Sequence, residues 1–237
     1  MKRLLELKWE SDGLKIWQTN FYGDHNLGLY GKTSDRICIL GRILEGKREH
    51  IENILKVKTV ALTVSNTDFV GIFCVLNENG MLLPKIATDT ERGKFVELKK
   101  LFGLNVDFLD TKFTALGNLI LCNEHGAVIS KLFTKKDKKM IENCLGVESS
   151  FSTIAGIQSV GSCGIATNKG CLLHRDATEE EIKNVEEIMK VKVDIGTANF
   201  GSPFVGSCAI ANSNGAIIGE STSGPEVDRI YQTLGFI

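Results

Sequence analysis

A glycine recurs along this chain at an almost constant interval, at Gly28, Gly71, Gly117, Gly161 and Gly206. The intervals are 43, 46, 44 and 45 residues. A fixed period of this length is the signature of a repeat architecture, in which each repeat is a supersecondary unit that cannot bury its core alone. The sequence therefore predicts five related units within a single domain, residues 1–237.

Each unit begins with apolar runs on both sides of a short polar segment, which predicts a β-hairpin. In four units a second glycine follows the first by nine residues and is expected to supply a left-handed backbone for the turn. The pairs are Gly71 and Gly80, Gly117 and Gly126, Gly161 and Gly170, and Gly206 and Gly215. The first unit has Ile37 in that place, so its turn is predicted to form differently, around Ser34-Asp35.

A helix start follows each hairpin in register. Capping boxes, in which cap oxygen and acid each satisfy a backbone donor, are expected at Thr88 with Glu91, Thr178 with Glu181 and Ser223 with Glu226. Weaker versions are Thr134 with Asp137 and Gly46 with Glu49. The helices are predicted to end near Gly103, Gly146 and Gly235, and short strands follow at 57–63, 106–109, 147–152 and 193–195. Each unit is thus β-β-α-β, and the fold class is α/β (α+β).

The fifth unit ends after its helix, so its closing strand is missing from that end of the sequence. Residues 14–21, upstream of Gly28, have a strand pattern in the place of the other closing strands. We expect this N-terminal strand to complete the fifth unit and to close a ring of five, which leaves no unit unpaired. The predicted boundaries are an extension 1–13, a closing strand 14–27, and units at about 28–70, 71–116, 117–160, 161–205 and 206–237.

Composition narrows the function classes. The chain is 43% hydrophobic and 24% charged, with a net charge of −1, so it has no global attraction to nucleic acid or to an anionic membrane. It has no apolar run of membrane-spanning length, and Met1–Glu10 mixes leucine with charged residues, unlike a signal peptide. The seven cysteines are scattered singly without a C-x-x-C pair, which predicts free thiols and a cytoplasmic location.

Long motifs follow one another in the second half of the chain. They are Thr114-Ala-Leu-Gly-Asn-Leu-Ile-Leu121, Thr153-Ile-Ala-Gly156, Ala166-Thr-Asn-Lys-Gly170, Gly196-Thr-Ala-Asn199 and Gly224-Pro-Glu226. In these motifs the chain resembles the archaeal and eukaryotic translation initiation factor 6 family, over about residues 14–237 and most densely from Val70 onward. The first unit matches poorly beyond its spacing, and Lys131 and Arg175 replace a usual proline that survives as Pro84. The short C-terminal end favours the archaeal branch.

The resemblance implies a pentein-type closed ring with pseudo-fivefold symmetry. Proteins of this family bind the large ribosomal subunit on its intersubunit face, chiefly through large-subunit ribosomal protein fourteen. While bound they sterically block the small subunit from joining. The resemblance therefore implies a monomeric ribosome anti-association factor without cofactor, metal or catalytic residues. The basic run 134–139 is expected to be a solvated helix face, with a minor contact to ribosomal RNA as the alternative.

The segments that precede each opening glycine are expected to lie on one face of the ring. They combine glycine and small polar residues with a few large apolar residues, a composition typical of protein-binding surfaces. The predicted ribosome-binding residues are Asn66, Phe69, Leu116, Gly117, Asn118, Val160, Gly201, Ser202 and Phe204. Asn118 either contacts the partner or satisfies the junction backbone, and Phe204 is either exposed or a core plug.

The main alternative function is enzymatic. Other pentein-fold proteins modify guanidino groups with a cysteine nucleophile, and Cys163 or Cys208 with His125 or His174 could form such a pair. Both cysteines stand two residues after an opening glycine, however, where strand packing explains them. Residues 156–162 have the glycine spacing of a phosphate-binding loop but lack its lysine. The four histidines show no metal-ligand spacing.

Overall fold

The computed structural model describes residues 15–236, so the predicted extension 1–13 lies outside the described residues, as do Leu14 and Ile237. The strands are β1 Ile16–Thr19, β2 Gly31–Thr33, β3 Ile37–Gly41, β4 Lys58–Leu62, β5 Val75–Leu76, β6 Gly80–Pro84, β7 Asn105–Leu109, β8 Ile120–Cys122, β9 Gly126–Ser130, β10 Glu148–Ser152, β11 Gly164–Ala166, β12 Gly170–His174, β13 Lys192–Gly196, β14 Ala209–Ala211 and β15 Ala216–Gly219. The longer helices are Arg48–Leu55, Asp89–Phe102, Lys135–Leu145, Glu179–Met189 and Gly224–Thr233. Shorter helical segments are Leu27–Leu29, Arg42–Lys47, Val70–Phe73, Leu116–Leu119 and Val205–Cys208. Within 15–236 no helix is long and apolar enough to cross a bilayer.

The strands form five three-stranded sheets of a mixed α/β fold, one sheet for each repeat. In the first repeat, β3 lies in the middle, antiparallel to β2 and parallel to β4. The next three repeats have the same arrangement around β6, β9 and β12. A parallel pair needs a crossover connection, which the helix between the second and third strands supplies. The predicted β-β-α-β unit is confirmed in these four repeats.

The fifth sheet draws its third strand from the other end of the chain. Strand β1 pairs parallel to β15, with Ile16 opposite Ala216 and Thr19 opposite Gly219. Beyond these pairs, the backbone N–H of Ala216 donates to the carbonyl of Lys15 at 2.8 Å. The N-terminal strand therefore completes the fifth sheet, as its place upstream of Gly28 predicts.

The predicted helix starts are confirmed in four repeats and wrong in the first. Thr88, Thr134 and Thr178 each form a complete capping box. At Ser223 the backbone N–H donates to Glu226 Oε2 at 2.7 Å. Gly46 instead lies inside the short helical segment Arg42–Lys47, because glycine has no side-chain oxygen to accept a helix N–H.

The hydrophobic core is divided into clusters that neighbouring repeats share. Phe95 of the helix Asp89–Phe102 lies in one buried cluster with Ile39 of the first repeat's middle strand. Ile217 of the fifth repeat likewise joins Leu40 of the first. The repeats therefore bury their apolar surface jointly, as the period predicts.

The opening glycines form one continuous series of contacts. A Cβ added to any of the last four would overlap the carbonyl oxygen of the opening glycine one repeat earlier. A Cβ added to Gly28 would overlap the carbonyl oxygen of Gly206, so the first repeat contacts the fifth as the other repeats contact their neighbours. Glycine is required at these positions because two backbones approach each other closely there.

A second series of contacts joins the hairpin turns at the opposite ends of the sheets. Asn77 donates its side-chain amide to the carbonyl of Asn123 at 3.2 Å, and Asn212 donates to the carbonyl of Ser34 at 3.0 Å. The latter bond links the fifth repeat to the first. The predicted first turn is confirmed, because Ser34 Oγ accepts the backbone N–H of Arg36 at 3.2 Å between β2 and β3.

The substitution Gly117→Ala is expected to destabilise the protein, because its methyl group would overlap a backbone carbonyl of the preceding repeat. Overpacking of side chains costs about 1–3 kcal/mol, and a backbone contact belongs at the upper end of that range. We expect urea denaturation to show a loss of about 3 kcal/mol.

The matched control is Gly93→Ala. Gly93 lies within the helix Asp89–Phe102, and a Cβ added there meets nothing within 4 Å. This change should raise the free energy of unfolding by about 0.5–1 kcal/mol, because alanine restricts the unfolded chain and favours the helix. Equal stability of the two variants would contradict the close glycine contact.

Candidate partner-binding surface

Tight loops join each repeat to the next. Single backbone pairs close four of them, at Phe21–Asp24, Val64–Thr67, Ile154–Ile157 and Ala198–Ser202. Their tips take left-handed backbone angles, with φ of 46° at Tyr22 and 60° at Phe200. We call residues 20–26, 63–69, 110–115, 153–159 and 197–204 the junction loops. Within each sheet the junction loop and the hairpin turn lie at opposite ends, since the closing strand runs parallel to the middle strand.

A glutamate of the following helix holds the tip of the second junction loop. Glu91 Oε1 accepts the backbone N–H of Asn66, and Oε2 accepts that of Ser65, both at 2.9 Å. The same carboxylate accepts the backbone N–H of Thr88 at 2.9 Å in the capping box. One side chain therefore fixes both the start of the helix and the tip of the loop.

The same arrangement recurs in two further repeats. Glu181 Oε2 accepts the backbone N–H of Ala155 at 2.8 Å, and Glu226 Oε1 accepts that of Gly201 at 2.8 Å. These three glutamates, which we call the loop clamps, give the loop tips charge-assisted hydrogen bonds to rigid helices. The loops are therefore held in a defined shape before any partner arrives.

The other two junction loops are held differently. In the third repeat, Asp137 stands where the clamps stand, and its shorter side chain bonds the backbone N–H of Thr134 at 2.8 Å in the helix cap. In the first loop, Asp24 Oδ1 accepts the backbone N–H of Asn26, and Tyr30 donates its hydroxyl to Asp24 Oδ2, both at 2.8 Å. This loop is therefore stabilised by its own carboxylate.

The clamps are held in the ionised form. Burial by itself raises the pKa of Glu91, but the hydrogen bonds from Asn66, Thr88, Thr63 and Ser65 outweigh it and set the pKa at about 2. Burial and hydrogen bonds oppose each other in the same way at Glu226, whose pKa is also about 2. The pKa of Glu181 is lowered by the same balance.

Large aromatic side chains project from the junction loops. The exposed fractions are 90% for Tyr22, 84% for Phe200, 39% for Phe204 and 38% for Phe69. Asn199 also donates its side-chain amide to the carbonyl of His25 at 2.8 Å, which joins the fifth-repeat loop to the first-repeat loop. Exposed aromatics on a rigid backbone are typical anchors of protein–protein interfaces.

Three of the predicted contact residues lie in the interior of the protein. Leu116 and Val160 are fully buried, and Gly117 is buried against the preceding repeat. The chain enters the helical segment Leu116–Leu119 at this point, and that turn directs the Leu116 side chain into the core. These three residues therefore hold the repeats together and do not present side chains to a partner.

The remaining predicted residues reach the surface to different degrees. Asn66, Phe69, Gly201 and Phe204 are exposed, whereas Asn118 and Ser202 are partly exposed. The carbonyl of Asn118 accepts the backbone N–H of Gly161 at 2.8 Å, and in residues 15–236 its side chain forms no hydrogen bond. Phe204 is no core plug, since it meets the His174 ring edge to face at 5.6 Å and stays accessible.

Two exposed aromatics were absent from the prediction. Tyr22 and Phe200 each stand six residues before an opening glycine, as Ser65 and Ala155 do in the other closed loops. All four have positive φ angles, so this register position marks the loop tip. The position within the repeat therefore identifies Tyr22 and Phe200 as loop tips, whereas residue type alone does not.

The cysteines of the enzymatic alternative are poor nucleophiles. Burial raises the pKa of the Cys163 thiol to about 11, and burial raises that of Cys208 to about 11 as well. A thiol becomes nucleophilic when its pKa is lowered, which is the opposite shift. His174 is buried, and its Nδ1 accepts the backbone N–H of Asp176 at 3.1 Å. Between residues 15 and 236, no three acidic, histidine or cysteine side chains are grouped to hold a metal ion.

These features define a class of protein: five repeats built around backbone contacts, with rigid loops that present aromatic side chains. A sequence profile of the eIF-6 family matches residues 16–233, and the chain belongs to that family. It is 38% identical over 227 residues to "Translation initiation factor 6" of Pyrococcus abyssi, covering 94% of this chain and 100% of the relative. It is 40% identical over 225 residues to the protein of that name from Saccharolobus islandicus, with the same coverage. Both relatives are archaeal, as expected.

Replacing a loop clamp, as in Glu91→Gln, should destabilise the protein at neutral pH by about 2 kcal/mol, since the amide leaves buried donors poorly paired. The folded-state pKa of Glu91 lies below its ordinary value of 4.5. The stabilisation is therefore complete above about pH 4.5 and is lost as the pH falls towards about 2.

Urea denaturation at a series of pH values would measure this effect. The control is Glu97→Gln, an exposed position on the same helix that should change stability little at any pH. A Glu91→Gln difference that stays constant between pH 7 and pH 2 would contradict the clamp.

Proposed function

We propose that this protein binds the large ribosomal subunit on its intersubunit face and prevents premature joining of the small subunit. Family membership supports a role as a translation initiation factor, because its archaeal relatives carry that name. The observation that carries the proposal is the exposure of Tyr22 and Phe200 on tightly held loops. Such a surface suits binding, and the blocking action follows from the bulk of the bound protein without any chemical step.

We propose further that the five repeats form a closed pentein-type ring with pseudo-fivefold symmetry. Two contacts between the fifth repeat and the first support closure, Gly28 against Gly206 and the hydrogen bond from Asn212 to Ser34, and so does the N-terminal strand β1, which pairs with β15 inside the fifth repeat. Each of the three matches a contact that the other repeats also make, either with a neighbour or within their own sheet. A closed ring suits steric exclusion, because a stiff body loses little conformational entropy when it binds.

The junction loops are the proposed ribosome-facing surface. Its residues are Tyr22, Asn66, Phe69, Phe200, Gly201, Ser202 and Phe204, together with Asn118, which lies just beyond the third loop. Aromatic anchors beside small polar groups favour a protein partner, and large-subunit ribosomal protein fourteen is the partner that the family resemblance implies. The exposed lysines Lys135, Lys136 and Lys139 add a minor contact to ribosomal RNA. The protein acts in the cytoplasm as a monomer.

Purified protein should sediment with isolated large subunits and not with small subunits in a sucrose gradient. Added in excess before the subunits are mixed, it should reduce the joined-ribosome peak and leave the free subunits as separate peaks. Bovine serum albumin at the same concentration serves as the control. Undiminished joining at a saturating concentration would remove the proposal.

The double variant Tyr22→Ala/Phe200→Ala should bind large subunits at least about 30-fold more weakly, because truncation of even one aromatic anchor costs about 2 kcal/mol. Its free energy of unfolding should change little, since both side chains are largely exposed. The control is Leu101→Ala, a 61% exposed residue on the helix Asp89–Phe102. Wild-type affinity in the double variant, or equal loss in the control, would move the contact to another surface.

A further inference from the structure

The first strands of the five repeats surround a small, partly open cavity. Residues of β2, β5, β8, β11 and β14 line it, among them Leu76, Cys122, Ala166 and Ala211. Its volume is about 40 Å³, room for about three water molecules. We call this space the inner cavity. None of its lining residues belongs to the junction loops, which form the proposed partner surface.

Lys32 is the one charged residue on these five strands. Strand pairing places it opposite Ile39 in the third position of the first repeat's middle strand. The equivalent residues of the other repeats are Val75, Leu121, Ile165 and Ile210, all apolar. The first repeat therefore differs from the other four at this position: it has an amine where they have an apolar side chain. A departure from a local rule of this kind marks functional or strained positions.

The protein gives this amine no counter-ion. Lys32 is partly buried and lines the inner cavity, and it has no hydrogen bond or ion pair within residues 15–236. Desolvation lowers its pKa, and the titratable groups that act on it are the thiols of Cys122 and Cys74. Burial raises the pKa of Cys122 to about 12 and raises that of Cys74 too, so both thiols are neutral at pH 7. The charged form is disfavoured here, because the surrounding protein displaces water from the amine without supplying an opposite charge.

The cavity walls restrict which anion could supply that partner. Cys122 donates its thiol to the carbonyl of Leu76 at 3.6 Å, and Thr33 donates its hydroxyl to the carbonyl of Ser34 at 3.0 Å. The remaining walls are mainly glycine, alanine, leucine and isoleucine. Among the side chains that line the cavity, the Lys32 ammonium is the one strong donor. The cavity therefore suits a small monovalent anion that gives up its water easily, and it disfavours phosphate or sulfate, which need many donors.

We propose that the inner cavity is a binding site for a single weakly hydrated monovalent anion, chloride or bromide, held by the Lys32 ammonium. The bound anion stabilises the folded protein by neutralising the charge of Lys32, the one charged residue on the first strands of the five repeats. Occupancy needs the charged amine, so binding weakens as pH rises. The site also links salt composition to the stability of the whole fold, because residues of all five repeats line it.

Thermal unfolding in bromide and in fluoride at equal ionic strength tests the proposal. Fluoride is strongly hydrated, so replacing it with bromide should raise the Tm of the wild type by about 3–6 °C at about ten times the bromide Kd. Lys32→Met, which keeps the length of the side chain and removes its charge, should lose this response. Lys99→Met, an exposed position on the helix Asp89–Phe102, should keep it.

Anomalous diffraction from wild-type crystals grown in bromide gives a second readout that requires no variant to fold. A bromide peak in contact with Lys32 Nζ is the expected result. A cavity that holds only water in such crystals would overturn the proposal. So would the same bromide-dependent change in Tm for wild type and Lys32→Met.

Discussion

The contact between successive opening glycines is the constraint on which the rest of the structure depends. It brings two backbones together with no side chain between them, and it recurs from Gly28 through Gly206 and back to Gly28. This closeness lets one buried cluster serve two neighbouring repeats, as Phe95 and Ile39 do. It also places the first strands of the five repeats around the inner cavity of about 40 Å³, in which Lys32 is the one charged lining residue.

The loop clamps connect this scaffold to the surface that we propose for binding. Glu91, Glu181 and Glu226 belong to helix caps, yet their second function is to hold loop backbone that would otherwise leave its N–H groups to solvent. The position of each helix therefore fixes the shape of the loop that it clamps. The contacts between repeats in turn fix the position of the helix. The partner surface needs little ordering on binding, which is how rigid loops gain affinity.

Much of the fold could be predicted because each sequence pattern, weak in a single repeat, recurs at the same place in several repeats. This recurrence located the hairpins, four helix starts and the return of the N-terminal strand to the fifth sheet. The failures were local: Gly46 lacks a capping oxygen, and the burial of Leu116 depends on a helical turn that composition does not reveal. Lys32 and the clamps were missed because their importance comes from neighbours distant in sequence. Ribosome binding and the residues proposed for it stay predictions.

The pairing of β1 with β15 has a consequence for the nascent chain. Ile16 lies two hundred residues before Ala216, so β1 cannot pair with β15 until Ala216 has been synthesised. At about 5–20 residues per second, synthesis leaves that edge open for about 10–40 s. The pairing of β1 with β15 therefore forms only after residues of all five repeats have been made.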